Sequence, residues 1–129
     1  MPGVAVANSA TVLINTNTGQ LGTAVSSGRF KENVVPIAEL PRLQALRPVS
    51  FVDRPEYDSG AGEPQFGLIA EEVAETMPEL VVRDPEGRPL TVRYHLLAPP
   101  LLAEVQRLER ARARLEEELA RLRELLEKR

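Results

Sequence analysis

The residues of this chain best suited to covalent chemistry lie in one stretch, Ser26-Ser27-Gly28-Arg29-Phe30-Lys31-Glu32-Asn33. A serine hydroxyl becomes a nucleophile when a base takes its proton, and a lysine with a lowered pKa can be that base. Burial lowers a lysine pKa by disfavouring the charged form. Lys31 is one of only two lysines, the other being Lys128, in a chain where arginine dominates. Ser27, four residues before Lys31, would share a helical face with it; Ser26 lies five before. On spacing alone both serines remain candidates. A loop serine beside a surface lysine is also common in soluble proteins, so the pair takes its meaning from the rest of the chain.

Other chemistries are poorly supplied. His95 is the only histidine, which argues against a histidine zinc centre and a Ser-His-Asp triad. There is no cysteine, hence no disulfide framework and no thiolate metal site. The net charge of −3 offers no basic surplus for nucleic acid. No apolar run approaches the roughly 20 residues that span a membrane, and residues 1–20 lack the layout of a signal peptide. No cofactor, metal, nucleic acid or membrane is expected. Glu71 and Glu72 fit the first turn of a helix, where acidic side chains complement the dipole, better than an acid/base pair. Asn33 is either a local helix cap or an organiser of the serine–lysine stretch. Gly67 is expected to permit a close backbone approach.

The elements that must position these residues can be read in order. Val4-Ala5-Val6 and Thr11-Val12-Leu13-Ile14 are β-prone, and Asn15 to Gln20 is turn chemistry leading to Leu21. Such a hairpin is too small to bury a core of its own. It is expected to complete something larger, either an upstream part of the polypeptide or neighbouring copies. Pro41 can start a helix carrying Leu43 and Leu46, which Pro48 stops, and Val49 to Val52 reads as a strand. Residues 53–65 form a loop. Phe66 to Ala70 reads as a short buried strand, Glu71 to Met77 as a short helix ended by Pro78. Leu80-Val81-Val82 and Leu90 to Tyr94 read as a hairpin across the turn Asp84-Pro85-Glu86-Gly87.

Pro99 and Pro100 mark the start of the last helix. From Leu101 a heptad runs to the end, with Leu101, Leu108, Leu115 and Leu122 at d and Val105, Arg112, Leu119 and Leu126 at a. The helix is about 29 residues, or roughly 44 Å, longer than so small a domain can cover, and self-association is expected. Glu118 at g can pair with Arg123 at e of a partner, whereas Glu104 and Glu109 would repel there. Arg112 costs stability at a unless its head snorkels or pairs.

Three blocks resemble the intramolecular chaperone auto-processing domain, also called the peptidase S74 domain. SSGRFKEN at residues 26–33 is similar to its opening Ser-Asp-x-Arg-x-Lys-Glu-Asn. FGLIAEEVAETMPELVV at 66–82 and VRYHLLAPPLLAEVQRL at 92–108 are similar to its two later blocks, in the same order and spacing. Residues 4–25 are similar to the end of the β-rich fibre stalk that precedes such domains.

The resemblance implies an α+β fold in three parts. Residues 1–25 end an upstream β-rich segment, 26–98 form the chaperone domain, and 99–129 form a trimerising coiled-coil helix. It implies a homotrimer that registers an upstream phage tail-fibre or tail-spike segment of the same polypeptide, in a virion precursor assembled in the bacterial host cytoplasm. It also implies a single self-cleavage at Val25–Ser26, with Ser26 the nucleophile and Lys31 the base, and Ser27 and Asn33 as possible supports. Ser26 is preferred over Ser27 because Arg29, Lys31 and Asn33 then fall in register. Two departures stand out: Ser27 replaces the usual Asp, and Glu71 replaces the usual Gln. The first keeps an alternative open, a non-cleaving trimeric cap of the same fold that stays attached to the fibre.

Overall fold

The computed structural model describes residues 7–57 and 62–129. The expected strand at Val4-Ala5-Val6 lies outside the described residues. The chain divides into two compact units, Met1–Pro36 and Ile37–Arg129.

In the first unit, β1 (Val12–Ile14) and β2 (Leu21–Thr23) form an antiparallel hairpin with Ile14 opposite Leu21. Its loop is built by Asn15. The Asn15 carboxamide oxygen accepts the backbone N–H groups of Asn17 and Thr18 at 3.0 and 3.2 Å. Asn15 N–H donates to Gln20 O at 2.9 Å, and Gly19 takes the positive φ of 73° that the return of the chain requires. Val12, Ile14 and Leu21 all stand in solvent, and no residue of the hairpin is buried.

The second unit holds the core. It contains β3 (Val49–Phe51), β4 (Gln65–Gly67), α1 (Ala70–Thr76), β5 (Val81–Arg83), β6 (Pro89–Val92) and α2 (Ala98–Glu127). β3 pairs with β4 and β5 with β6, each as a separate two-stranded antiparallel sheet. The buried side chains are Leu43, Val73, Met77, Leu80, Val81 and Val92, flanked by Leu40, Leu46, Leu68, Ala70, Ala74 and Leu97. Burial of aliphatic side chains at about 1.5–3 kcal/mol each is what holds the strands and α1 together. Arg42, paired with Glu79 at 2.8 Å, ties the loop before β3 to the turn before β5.

The β5–β6 turn follows its sequence closely. Asp84 Oδ1 accepts from Glu86 and Arg88 N–H at 3.0 and 2.8 Å, and Gly87 has φ 81°. Two local expectations are corrected. Residues Pro41–Ala45 form a single 3-10 turn rather than an α-helix. Pro48 disfavours helical backbone at Arg47, and Leu46 is already extended at φ −70°, ψ 139°, which leaves too few residues to nucleate a longer helix. Phe66 is not buried. The register sets Ser50 opposite Phe66 on one face and Val49 opposite Gly67 on the other, and Phe66 is 88% exposed.

The fold is therefore α+β: a small hairpin in the first unit, and in the second two small antiparallel sheets, a short helix and a long C-terminal helix. Pro99 and Pro100 sit in the first turn of α2, where missing N–H donors do no harm. Its 30 residues extend about 45 Å.

Candidate functional site

The Ser26–Asn33 stretch lies in the first unit as an exposed, mostly extended segment around one 3-10 turn, Gly28–Phe30. Ser27 precedes the turn at φ −63°, ψ 137°, and Lys31 follows it at φ −122°, ψ 143°. Phe30 N–H donates to Ser27 O at 3.0 Å and Lys31 N–H to Gly28 O at 3.1 Å. The turn is too short for Ser27 and Lys31 to share a helical face, so spacing does not favour Ser27. The Arg29 guanidinium lies 4.5 Å from the centroid of the Phe30 ring, a cation–π contact that stiffens the turn from outside. Asn33 takes φ 54°, a left-handed conformation that asparagine tolerates better than most residues. It ends the extended run after Lys31 and caps no helix. Gly28 has ordinary φ and open space around its Cα, so this conformation does not itself demand glycine.

Ser26, Ser27, Lys31 and Asn33 are all exposed, and among the described residues no side-chain hydrogen bond joins either serine to Lys31. The turn brings the backbones of Gly28 and Lys31 together. It does not by itself enclose the amine.

The second block, residues 66–82, builds the core instead of a reaction centre. Val73, Met77, Leu80 and Val81 are among the buried side chains. Glu71 and Glu72 occupy the first turn of α1 as expected. The side-chain hydrogen bond from Arg47 holds the Glu72 carboxyl below its usual range, as an exposed surface pair. Gly67 permits the close approach expected of it: a Cβ there would lie 2.8 Å from Tyr94 Oη and 3.2 Å from Phe51 Cε1. Tyr94 Oη in turn accepts Leu68 N–H at 2.9 Å. His95 lies exposed in the 3-10 turn Tyr94–Leu96. Among the described residues no cluster of His, Cys, Asp or Glu could hold a metal, and no helix is long and apolar enough to cross a membrane.

Helix α2 presents two different faces, one covered by its own unit and one exposed. Pro100, Ala103, Glu104, Arg107 and Ala111, at helical spacing, are the covered or half-covered side chains. Glu104 is 8% exposed, accepts a 2.8 Å bond from Gln44 Nε2 and pairs with Arg107. Arg107 also reaches Glu39 at 3.8 Å. The Arg107 hydrogen bond, then that of Gln44, pulls the Glu104 carboxyl down to about 2. Sequence reasoning placed Glu104 at the edge of the heptad stripe, repelling Glu109 of a partner. Within the chain Glu104 is neutralised by Arg107 and Glu109 by Arg112. The Glu–Arg spacing of three was visible in the sequence; Gln44, sixty residues away, gave no signal. The heptad stripe itself, Leu101, Val105, Leu108, Leu115, Leu119, Leu122 and Leu126, remains exposed.

Comparison with known proteins agrees with the first two blocks. Residues 26–82 match the Peptidase_S74 family, described as chaperone of endosialidase. No curated protein matches the chain. The matched range starts at Ser26 and ends at Val82, spanning the serine–lysine stretch and the α1 core. Over residues 26–82 this chain is similar to the Peptidase_S74 family, described as chaperone of endosialidase.

Proposed function

We propose that the chain is a C-terminal intramolecular chaperone that trimerises through α2 and aligns an upstream β-rich segment of the same polypeptide. It then releases itself by cutting Val25–Ser26. The observation that carries this reading is the division of α2 into two faces. The domain takes the Pro100–Ala103–Glu104–Arg107 face, and the aliphatic heptad stripe is left open along the helix. In this reading residues 1–25 end the upstream segment, 26–98 are the chaperone and 99–129 the trimerising helix. The setting is a phage-type tail-fibre or tail-spike precursor in the host cytoplasm.

Winding three chains into a β-structure makes many non-local contacts, so it is slow and prone to misregister. A trimeric helix turns the search into an intramolecular one by raising local concentration. Removing it afterwards leaves the assembled fibre kinetically trapped.

In the cleavage step the Ser26 Oγ attacks the Val25 carbonyl carbon. Neutral Lys31 accepts the hydroxyl proton and returns it to the Ser26 nitrogen as the C–N bond breaks. An ester joins Val25 to Ser26 Oγ. Water then hydrolyses it, giving a Val25 carboxylate and a free Ser26 amine and hydroxyl. Lys31 is exposed in the single chain, and in this reading assembly supplies the enclosure in which it acts. That dependence ties cutting to correct association.

The test is the intact mass of the purified chain under denaturing conditions, beside a Ser26→Ala variant, with the native mass of each read by sedimentation. A wild-type fragment beginning at Ser26, with the variant whole, supports the reading. A wild type that stays whole after prolonged incubation as a trimer overturns cleavage and leaves a permanent trimeric cap. A monomer overturns both.

A further inference from the structure

We propose that Arg112 fixes the register in which copies of α2 pair, an inference that rests on the association proposed above. Of the eight a and d positions between Leu101 and Leu126, seven are aliphatic and Arg112 alone is charged. Its side chain is not a loose cation. Arg112 Nε donates to Glu109 Oε2 at 3.1 Å, and its terminal nitrogens pair with Glu109 and Glu116. These two glutamates stand at e, one turn before and one turn after, on the flank of the stripe. They satisfy the guanidinium from its own helix. Arg112 can therefore enter an interface already paired, without the cost of a lone buried charge.

Pairing geometry then discriminates. In a parallel, in-register assembly the Arg112 residues of all copies meet at one level, each with its carboxylates, as a single polar layer. A slip of one heptad sets Arg112 against Val105 or Leu119. An antiparallel pairing centred on the stripe sets it against Leu115. Each alternative sets the whole Arg112–Glu109–Glu116 cluster against aliphatic side chains, which strip water from its remaining polar groups without replacing it, whereas in register the clusters of the copies face one another. A polar residue at one a position is a known means of specifying register in coiled coils, at some loss of stability.

The consequence reaches the upstream chain. A one-heptad slip moves one copy by about 10 Å along the helix axis. For strands running along that axis this is a shift of about three residues. An odd shift exchanges the two faces of a strand, so a slipped helix would present upstream strands wrong side out.

The chain has no cysteine, which makes single reporters clean. Full-length chains carrying Leu119→Cys are mixed with chains carrying Leu126→Cys, refolded together and oxidised mildly, and the cross-links are identified by mass. Links 119–119 and 126–126 report correct register, and 119–126 reports a one-heptad slip. With Arg112 present the slipped product should stay at background; in an Arg112→Leu background it should rise at least about tenfold. Glu109→Gln with Glu116→Gln keeps the cation and should keep the single register. Equal, low slippage with Arg112→Leu, in an oligomer of unchanged mass, overturns the proposal while association stands. Slippage in the double-glutamine variant equal to that of Arg112→Leu overturns it in favour of the glutamates. A monomeric mass for the unmodified full chain overturns the association itself, and this inference with it.

Discussion

Gln44 and Glu104, sixty residues apart in sequence, are joined by a 2.8 Å hydrogen bond in which the Gln44 amide donates to the carboxylate. The bond fixes which face of α2 meets the domain. Arg107 completes it from the next turn, and Glu39 approaches Arg107 from the segment before the 3-10 turn. The helix is thus seated by a polar contact at its base and leaves its aliphatic stripe unused.

Acid should loosen this seat. Glu104 has its folded pKa depressed from an ordinary 4.5 to about 2. A depressed carboxylate contributes stability above its unfolded pKa and loses it as pH falls toward the folded value. The melting temperature, followed by circular dichroism, is expected to fall between about pH 4.5 and pH 2. A Glu104→Gln variant keeps a polar partner for Gln44 and should show a shallower fall across that window. An unchanged pH profile in the variant would remove Glu104 from the seat.

Gly67→Ala should destabilise the second unit by about 1–3 kcal/mol, because the new methyl meets the Tyr94 hydroxyl and the Phe51 ring. Tyr94→Phe alone should cost about 1 kcal/mol, as Leu68 N–H loses its acceptor. The double variant should cost less than the sum of the two, since removing the hydroxyl opens the space the methyl needs. Urea denaturation of the four proteins measures the coupling, and strict additivity would contradict the close approach.

Two leucines of similar chemistry should behave oppositely. Leu80, 3% exposed in the core, should lose about 2–5 kcal/mol of folding stability as Leu80→Ala. Leu115, 65% exposed on α2, should change the melting of the isolated chain by less than about 0.5 kcal/mol as Leu115→Ala. It should instead weaken association, read by sedimentation across a dilution series. A Leu115→Ala chain that associates as tightly as wild type would mean that the stripe is not the contact.

Cleavage should depend on association. Ser26 and Lys31 are exposed on either side of one 3-10 turn, with no side-chain bond between them. The fraction cut at a fixed time should therefore rise with protein concentration until the oligomer saturates. Leu115→Glu with Leu122→Glu should abolish association and cutting together. Lys31→Ala should abolish cutting and leave the oligomer intact. Concentration-independent cleavage by a monomer would contradict this scheme.

Much of the local structure was legible in the sequence because its causes are local. Asn15 and Gly19 encode the first hairpin loop by side-chain bonds and a positive φ within five residues. Asp84 and Gly87 do the same for the second. Pro78 ends the helix begun at Ala70, and Pro99 and Pro100 open the last one. Three blocks together carried the family resemblance, and the match over residues 26–82 agrees with the first two. Tertiary structure decided what depends on distant partners. Phe66 is exposed because its pairing with Ser50 turns it away from the side where Gly67 meets Tyr94, and register is a property of two strands. The heptad pattern marks the apolar stripe of α2, yet the face that docks is chosen by small residues and by Glu104, whose partner Gln44 belongs to another element. A periodic pattern says which side chains avoid water; only the packed chain determines which face its own domain covers and which remains open to other copies.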